Sequence, residues 1–286
     1  VYATISKGYR SGGYNIQQFS GALQRLMQAD IMQDVAEVTI PVLENQHAVP
    51  ADIKKQVTGM LMGMATQPEI NIRDLCQYKP EYAWNYEVGT HINVLNRRLR
   101  MDAAVYLTEV RDQQVSRMAD NGLGRITVNA GRSRAVGCEF SAEGQISEAL
   151  SAHTAYGFTH STFRTYSPKE GLTYRGNYVP FVPIHTFNVG ARYNWNLDGW
   201  LQHIILQADW NGRGKTYWTE DNQASENFYG TLDARLSLSH GQVEMGLWGK
   251  NLTNHDYRAF YFESMGRGFY QKGAPLQVGV DVRIRL

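Results

Sequence analysis

The C-terminal segment of this chain alternates between apolar and polar residues without a break from Leu276 to Leu286. Neighbouring side chains of a β-strand point to opposite faces, so the segment predicts a strand with one apolar and one charged face. Strands of soluble proteins average about five or six residues, whereas a strand that crosses a membrane needs about 9–11 residues. The length of the alternation therefore favours a membrane-spanning strand.

The same period recurs along most of the chain and predicts about ten strands. Charged side chains occupy the polar phase, for example Arg192, Asp233 and Arg235. A small soluble barrel fills its interior with apolar side chains, so here the charged phase needs water and the apolar phase needs a second medium. The predicted strands are residues 1–14, 81–95, 99–117, 126–146, 150–165, 187–195, 204–211, 231–238, 243–248 and 276–286.

Short and long connections alternate between these predicted strands, which is an independent indication of the same architecture. Outer-membrane barrels have short periplasmic turns and longer extracellular loops. If the C-terminus is periplasmic, every long connection lies outside the cell. The short connections are 96–98, 147–149, 196–199 and 239–242, and the long ones are 15–80, 118–125, 166–183, 212–227 and 257–273.

Residues 16–78 interrupt the two-residue period and predict a helical insertion in the first long connection. Apolar residues recur at helical spacing from Leu23 to Val38, with Ser20 as the predicted N-cap, and again from Ile53 to Met64 behind Pro50. Two amphipathic helices are expected. Two roles stay open for them: a pair that packs on itself or over the barrel mouth, or a helix that binds a partner.

Composition supports strands and excludes several classes of protein. The chain has 17 Tyr, 6 Trp and 27 Gly but only 8 Pro, which suits aromatic girdles and tight turns. A net charge of +1 argues against a nucleic-acid partner. No apolar run reaches the length of a transmembrane helix. The first residues already form a strand pattern without a signal peptide, so we expect a piece of a longer protein.

Several segments resemble the barrel domain of the TonB-dependent receptors, in that family's order along the chain. The family pattern combines a basic strand ending in Gly-Gly-aromatic-Asn, a Pro-Glu…Glu-x-Gly strand start and an Asn-Ala-Gly…Gly-x-Glu strand. A loop-to-strand entry rich in proline and an Asn-Leu-Thr-Asn strand end follow. The matching residues are Tyr2–Asn15, Lys79–Glu81 with Asn85–Gly89, Asn129–Glu139, Gly176–Pro180 with Pro183–Asn188, and Asn251–Asn254 with Tyr257.

The resemblance implies an all-β membrane protein: an antiparallel up-and-down transmembrane β-barrel in the outer membrane. Residues 1–286 would be its C-terminal portion, about ten of roughly twenty-two strands, with 16–78 as the short helical insertion in one extracellular loop. The plug domain lies outside this sequence. The family's partners would be that plug, a TonB-type energy transducer, outer-membrane lipid and a small-molecule ligand. Leu286 departs from the aromatic residue that commonly ends the family's chains.

Polar residues of the strands are expected to line the lumen, and the outer loops to carry a ligand site. The lumen residues are Glu87, Glu139, Arg192, Asp233, Arg235, Asp281 and Arg283. Basic groups beside aromatic faces suit an anionic iron chelate through charge and stacking, and the alternative explanation of the aromatics is an interfacial aromatic belt, which barrels need in any case. The candidate ligand residues are Arg213, Lys215, Tyr217, Trp218, Tyr257, Arg258, Phe260, Tyr261, Phe262, Arg267 and Tyr270.

The resemblance implies active, TonB-coupled uptake of a scarce nutrient, with a ferric siderophore as the leading substrate. Haem, cobalamin or a glycan are alternative substrates, and a passive outer-membrane pore or an adhesin is the alternative from another class. The eight histidines are scattered, and no P-loop, nucleophile elbow or zinc motif is present. No enzyme activity, catalytic residue, metal site or cofactor is therefore predicted.

Overall fold

The computed structural model describes residues 1–65, 76–119, 124–169, 171–264 and 266–285. The chain forms two compact units. The first comprises Val1–Arg10, Glu81–Gln113 and Ala130–Leu286, and the second comprises Ser11–Pro80 and Gln114–Asn129.

The first unit is built on one ten-stranded sheet. Every neighbouring pair is antiparallel, and the strands follow one another across the sheet in chain order. The ten strands are β1 (Tyr2–Arg10), β4 (Glu81–Val94), β5 (Leu99–Arg111), β8 (Arg132–Gln145), β9 (Leu150–Thr165), β10 (His185–Asn196), β11 (His203–Arg213), β14 (Tyr229–His240), β15 (Val243–Lys250) and β18 (Gln277–Ile284).

Short two-stranded elements occur in both units. In the first unit, β12 (Thr216–Tyr217) pairs with β13 (Ser225–Glu226), and β16 (Arg258–Ser264) pairs with β17 (Arg267–Lys272). In the second unit, β2 (Gly13–Tyr14) pairs with β3 (Gln77–Tyr78), and β6 (Gln114–Met118) pairs with β7 (Arg125–Asn129).

The ten strands confirm the predicted antiparallel architecture, with three corrections at strand ends. The predicted strands 99–117 and 126–146 were too long, because the backbone turns at Asp112 and at Gly131, which have φ of +52° and +73°. The residues beyond those turns form the separate hairpin β6–β7. Similarly, the predicted strand 1–14 ends at Arg10, and the chain pairs again only at β2. Alternating residue types continue through these turns, so periodicity alone does not reveal them.

The alternation of connection lengths is confirmed. Residues 95–98, 146–149, 197–202 and 241–242 make the short connections, at what we call the turn end of the sheet. The opposite, loop end carries the connections 11–80, 112–131, 166–184, 214–228 and 251–276.

Register places the two phases of each strand on separate faces. Val278, Val280, Val282 and Ile284 of β18 oppose Gly249, Leu247, Met245 and Val243 of β15. On the other phase, Asp281 and Arg283 oppose Gly246 and Glu244. The four apolar β18 side chains are 60–70% exposed, as expected for a face that meets another medium. The predicted sidedness is therefore confirmed, and the two sides are called the apolar face and the polar face.

The second unit contains the two predicted helices. α1 spans Ile16–Asn45 and α2 spans Ala51–Ala65. The predicted N-cap is wrong: Ser20 lies inside α1, which begins after Asn15. The side-chain amide of Asn15 instead donates to the Thr127 carbonyl in β7 at 2.7 Å, and its side-chain oxygen accepts from the Thr127 N–H at 2.8 Å. Across the described residues, neither helix has a stretch long and apolar enough to span a bilayer.

Candidate functional site

The polar face of the sheet brings two of the predicted lumen residues, Arg235 and Asp281, together as a pair, and a second pair forms beside them. Arg235 of β14 holds Asp281 of β18 through two hydrogen bonds of 2.7 Å each. His153 of β9 lies 2.9 Å from Asp209 of β11, which also accepts a bond of 3.0 Å from Gln207. Charged groups on this face therefore have partners within the wall.

The same face is acidic across the first strands. Tyr2 donates to Glu87 at 2.7 Å, and His91 lies 2.5 Å from Asp102. A groove of about 430 Å³ lies against these strands, and its lining includes Tyr2, Glu87, Asp102 and Glu139. Within the described ranges, no group of three metal-ligating side chains occurs. The groove thus places three carboxylates beside apolar side chains such as Phe140 and Phe187.

Asn251 fixes the corner where β15 passes into the last long connection. It is 4% exposed and has φ of +47°. Its amide donates to the carbonyls of His255 and Ala274 at 3.0 and 2.9 Å, and its side-chain oxygen accepts from the His255 N–H at 3.0 Å. The Asn-Leu-Thr-Asn segment thus satisfies backbone groups at the strand end.

Three long connections of the first unit meet in an aromatic cluster, defined as Phe181, Trp218, Phe260, Phe262 and Phe269. Phe181 lies 5.6 Å from Trp218 and 5.7 Å from Phe260, measured between ring centroids. Phe262 lies 6.0 Å from Phe260 and 5.3 Å from Phe269. These separations are those of aromatic pairs in contact. The cluster therefore ties residues 166–184, 214–228 and 251–276 to one another.

Four of the predicted ligand residues hold these loops together: Trp218, Phe260 and Phe262 as members of the aromatic cluster, and Arg258 through polar contacts. Trp218 is 5% exposed, inside the aromatic cluster. Arg258 forms an ion pair with Glu226 at 2.6 Å and donates to the Ser225 carbonyl at 3.0 Å. These side chains are engaged between loops of the same unit.

Arg213 and Tyr257 both neighbour Tyr229 at the loop end of the polar face. Arg213 is the last residue of β11 and stands opposite Tyr229 of β14. The ring of Tyr229 stacks on Tyr257, with centroids 4.2 Å apart and planes at 14°. The Nε of Arg213 is buried and has no hydrogen-bond partner within the described part of the chain. A cationic group thus borders a flat aromatic pair.

Lys215 and Tyr217 form a second basic and aromatic pair in the neighbouring connection. The ammonium of Lys215 lies 4.8 Å from the centre of the Tyr217 ring. Tyr217 stacks in turn on Tyr178, with centroids 5.1 Å apart. Asn222 fixes Tyr178 by bonding to its backbone N–H and carbonyl at 2.7 and 3.0 Å.

The hairpin β16–β17 carries the remaining candidates. Tyr270 stands opposite Tyr261 and is 57% exposed, and Arg267 is also exposed. Tyr261 donates to Glu263 at 2.9 Å. Desolvation raises the pKa of the Tyr261 hydroxyl, and this hydrogen bond raises it further. Lys272 donates to Asp256 at 2.8 Å, and this bond raises the pKa of the Lys272 ammonium. Both groups keep their protons at neutral pH.

Sequence reasoning missed the partners that organise these candidates. Phe181, Tyr178 and Tyr229 make the contacts, yet only Tyr178 lies in a segment that resembles the receptor family. One local signal marks Phe181: its φ of +66° is rare for a bulky residue and points to a position held by its surroundings. Such a conformation cannot be seen in residue types alone.

Comparison with known proteins identifies the family to which this sheet belongs. A family model described as "TonB dependent receptor-like, beta-barrel" matches residues 1–252. The chain belongs to the TonB-dependent receptor family. The recognised resemblance and the antiparallel fold are therefore both confirmed.

Individual relatives agree. The chain is 25% identical to the pesticin receptor of Yersinia pestis over 214 residues, which is 74% of this chain and 30% of that receptor. The chain therefore spans less than a third of the length of this relative. These relatives are receptors and not enzymes, as the sequence predicted.

Solved structures show the same fold. The ferric yersiniabactin uptake receptor FyuA of Yersinia pestis matches 99% of this chain and 34% of its own, with a TM-score of 0.67 and 20% identity. The siderophore receptor PiuA of Acinetobacter baumannii matches 74% of this chain and 29% of its own, with a TM-score of 0.59 and 22% identity.

Proposed function

We propose that this chain is the C-terminal part of the barrel of an outer-membrane receptor that imports a ferric siderophore with energy from TonB. In this proposal residues 1–286 form about ten of the barrel's strands, and 16–78 is an extracellular insertion. The apolar face meets lipid, and the polar face lines the lumen against a plug domain. The paired charges of the polar face and its acidic groove suit contact with a polar protein segment and water.

The observation that carries the proposal is the pairing of basic groups with stacked tyrosines at the loop end. Arg213 borders the Tyr229–Tyr257 stack, and Lys215 covers Tyr217. Guanidinium and ammonium groups attract an anionic chelate, and flat rings offer faces for an aromatic one. A ferric yersiniabactin uptake receptor and a siderophore receptor are among the solved structures that share this fold, so the wall is compatible with that class of ligand.

The test uses the receptor that contains this chain with its whole barrel, expressed in a strain without other ferric siderophore receptors. Uptake of radioactive iron is measured for a panel of ferric catecholate, hydroxamate and carboxylate chelates. We expect uptake of at least one chelate, and a loss of apparent affinity on the order of tenfold for Arg213→Gln or Lys215→Gln, because each removes one charge contact.

The matched control is Lys169→Gln, an exposed lysine in another long connection that bears no aromatic partner in the described structure. It should leave uptake within about twofold of the unaltered receptor. Absence of uptake for every ferric chelate rejects the proposed substrate class. Equal losses in the control and in the two test variants reject the proposed site.

A further inference from the structure

Four basic side chains lie on the apolar face at its loop end, where a membrane wall is otherwise uncharged. They are named here the basic rim patch and comprise Lys7, Arg111, Arg132 and Arg134. Lys7 shares a phase of β1 with Ile5, Arg111 shares one of β5 with Leu107, and the two β8 arginines share one with Val136. Three of the first four strands of the wall, β1, β5 and β8, thus present cations on the apolar face.

Register arranges these cations in two adjacent rows. One row runs Tyr9, Tyr82, Arg111 and Arg132, and the next runs Lys7, Trp84, Glu109 and Arg134. The row below these is Ile5, Tyr86, Leu107 and Val136, which begins the apolar band. The patch therefore borders the apolar band directly, at the height where aromatic residues mark a membrane interface.

Arg111 and Arg132 stand directly opposite each other on neighbouring strands. Like charges in that position destabilise a sheet, since their Cβ atoms are only about 5 Å apart. Both side chains are exposed, and in the described part of the chain no carboxylate pairs with either guanidinium. An arginine pair without a counter-charge is a receptor for an anion, and guanidinium groups bind phosphate in a bidentate manner.

The other members of the patch extend the same chemistry. Lys7 lies 5.3 Å from the centre of the Tyr82 ring and 5.6 Å from that of Trp84, so its ammonium is held at the surface. Arg134 is ion-paired with Glu109, the one carboxylate of these rows. The remaining excess of positive charge faces the lipid side and not the lumen, so the ligand of the polar-face site does not neutralise it.

We infer that the basic rim patch binds the phosphate groups of a phosphorylated glycolipid in the outer leaflet. This inference rests on the proposed outer-membrane setting and concerns a surface separate from the proposed chelate site. Arg111 and Arg132 grip one phosphate, Lys7 and Arg134 contact neighbouring headgroup oxygens, and the acyl chains lie along the apolar face below. The lipid would thereby remove the repulsion between the two opposed arginines.

The experiment measures lipid binding to the receptor with its whole barrel in detergent micelles, by native mass spectrometry. Bisphosphorylated lipid A is compared with lipid A from which both phosphates have been removed. We expect the receptor to bind the phosphorylated lipid at least about tenfold more tightly, because each basic side chain at the membrane surface attracts an anionic headgroup. Arg111→Gln/Arg132→Gln should abolish the preference.

Two further variants make the result specific. Arg97→Gln/Arg98→Gln removes two adjacent exposed arginines at the turn end of the same wall and should keep the preference. Arg111→Lys/Arg132→Lys keeps both charges but loses the planar fork, and should retain part of it. Tryptophan fluorescence in the same micelles confirms that each variant is folded.

Three outcomes would overturn the inference. They are a wild-type receptor without a preference for the phosphorylated lipid, a glutamine pair that retains the preference, and millimolar inorganic phosphate that displaces the lipid and thus reveals a simple anion site. Iron uptake is measured in parallel. A receptor that imports no ferric chelate but keeps its lipid preference rejects the proposed substrate and leaves the lipid site intact.

Discussion

The polar face of the sheet pairs its charges within the wall, whereas the apolar face exposes its side chains. Asp281 has its arginine and Asp209 its histidine on the polar face. On the apolar face, Val278 and Val280 are 70% and 64% exposed, and Val105 is 58% exposed. Adjacent residues of the same strand thus place their side chains in two different environments. This difference shows that the wall is specified by phase, and that hydrophobicity averaged along a strand does not reveal it.

The largest expected effect comes from moving a charge between the faces in mid-strand. Val105→Arg places a guanidinium at the centre of the apolar face and should destabilise the folded receptor by about 2–4 kcal/mol in lipid vesicles. The matched change Ala104→Arg, one residue earlier, places the same group on the polar face opposite Glu139 and next to the acidic groove. It should change the free energy of unfolding by less than about 1 kcal/mol.

Urea-induced unfolding in vesicles measures both variants. Similar destabilisation by the two substitutions would show that the two faces meet the same environment. That result would contradict the difference between the apolar face and the polar face.

Phase was predictable from the sequence because it depends only on residue type and spacing. The ten strands, their antiparallel order and the sidedness of Leu276–Ile284 follow from alternation and connection length. The turns at Asp112 and Gly131 were not predictable in that way, since alternation continues through them as a hairpin. The start of α1 was missed because Asn15 bonds to Thr127, a residue distant in the chain.

The candidate site was predictable in composition but not in arrangement. Basic and aromatic residues in the last two long connections could be identified, and Arg213, Lys215 and Tyr257 remain predicted ligand residues. The sequence does not distinguish them from Trp218 and Arg258, which hold loops together. That distinction requires contacts between residues 166–184, 214–228 and 251–276. Phe181 supplies the central contact through a backbone conformation that sequence rules assign to glycine.

A smaller effect is expected where the polar face has no room for a side chain. Gly137 of β8 lies beneath the Tyr106 ring and against the Phe158 carbonyl, so an added Cβ would collide with backbone. Gly137→Ala should therefore cost about 1–3 kcal/mol. Gly8→Ala is the control, because a Cβ at that strand glycine meets nothing within 4 Å. That change should be neutral or slightly stabilising.

The same urea unfolding experiment compares the two alanine variants. A cost for Gly8→Ala as large as that for Gly137→Ala would mean that both glycines serve backbone flexibility, and that close packing of Tyr106 against the wall is not what requires Gly137.

The smallest effect is expected for a truncation on the apolar face, because lipid fills the space that a removed side chain leaves. Val280→Ala should lower local stability by only about 0.5 kcal/mol, the difference in transfer into the bilayer. Val179→Ala removes the same two methyl groups from a residue that is 6% exposed and whose N–H bonds to Ser161 at 3.0 Å. Protein neighbours cannot refill that space, so this variant should lose about 2 kcal/mol.

Hydrogen exchange in vesicles measures both changes in stability locally, at the amides of β18 and of residues 178–181. If Val280→Ala costs as much as Val179→Ala, then Val280 is packed against protein, and the exposed apolar face of β18 is an interface with another segment or subunit and not with lipid.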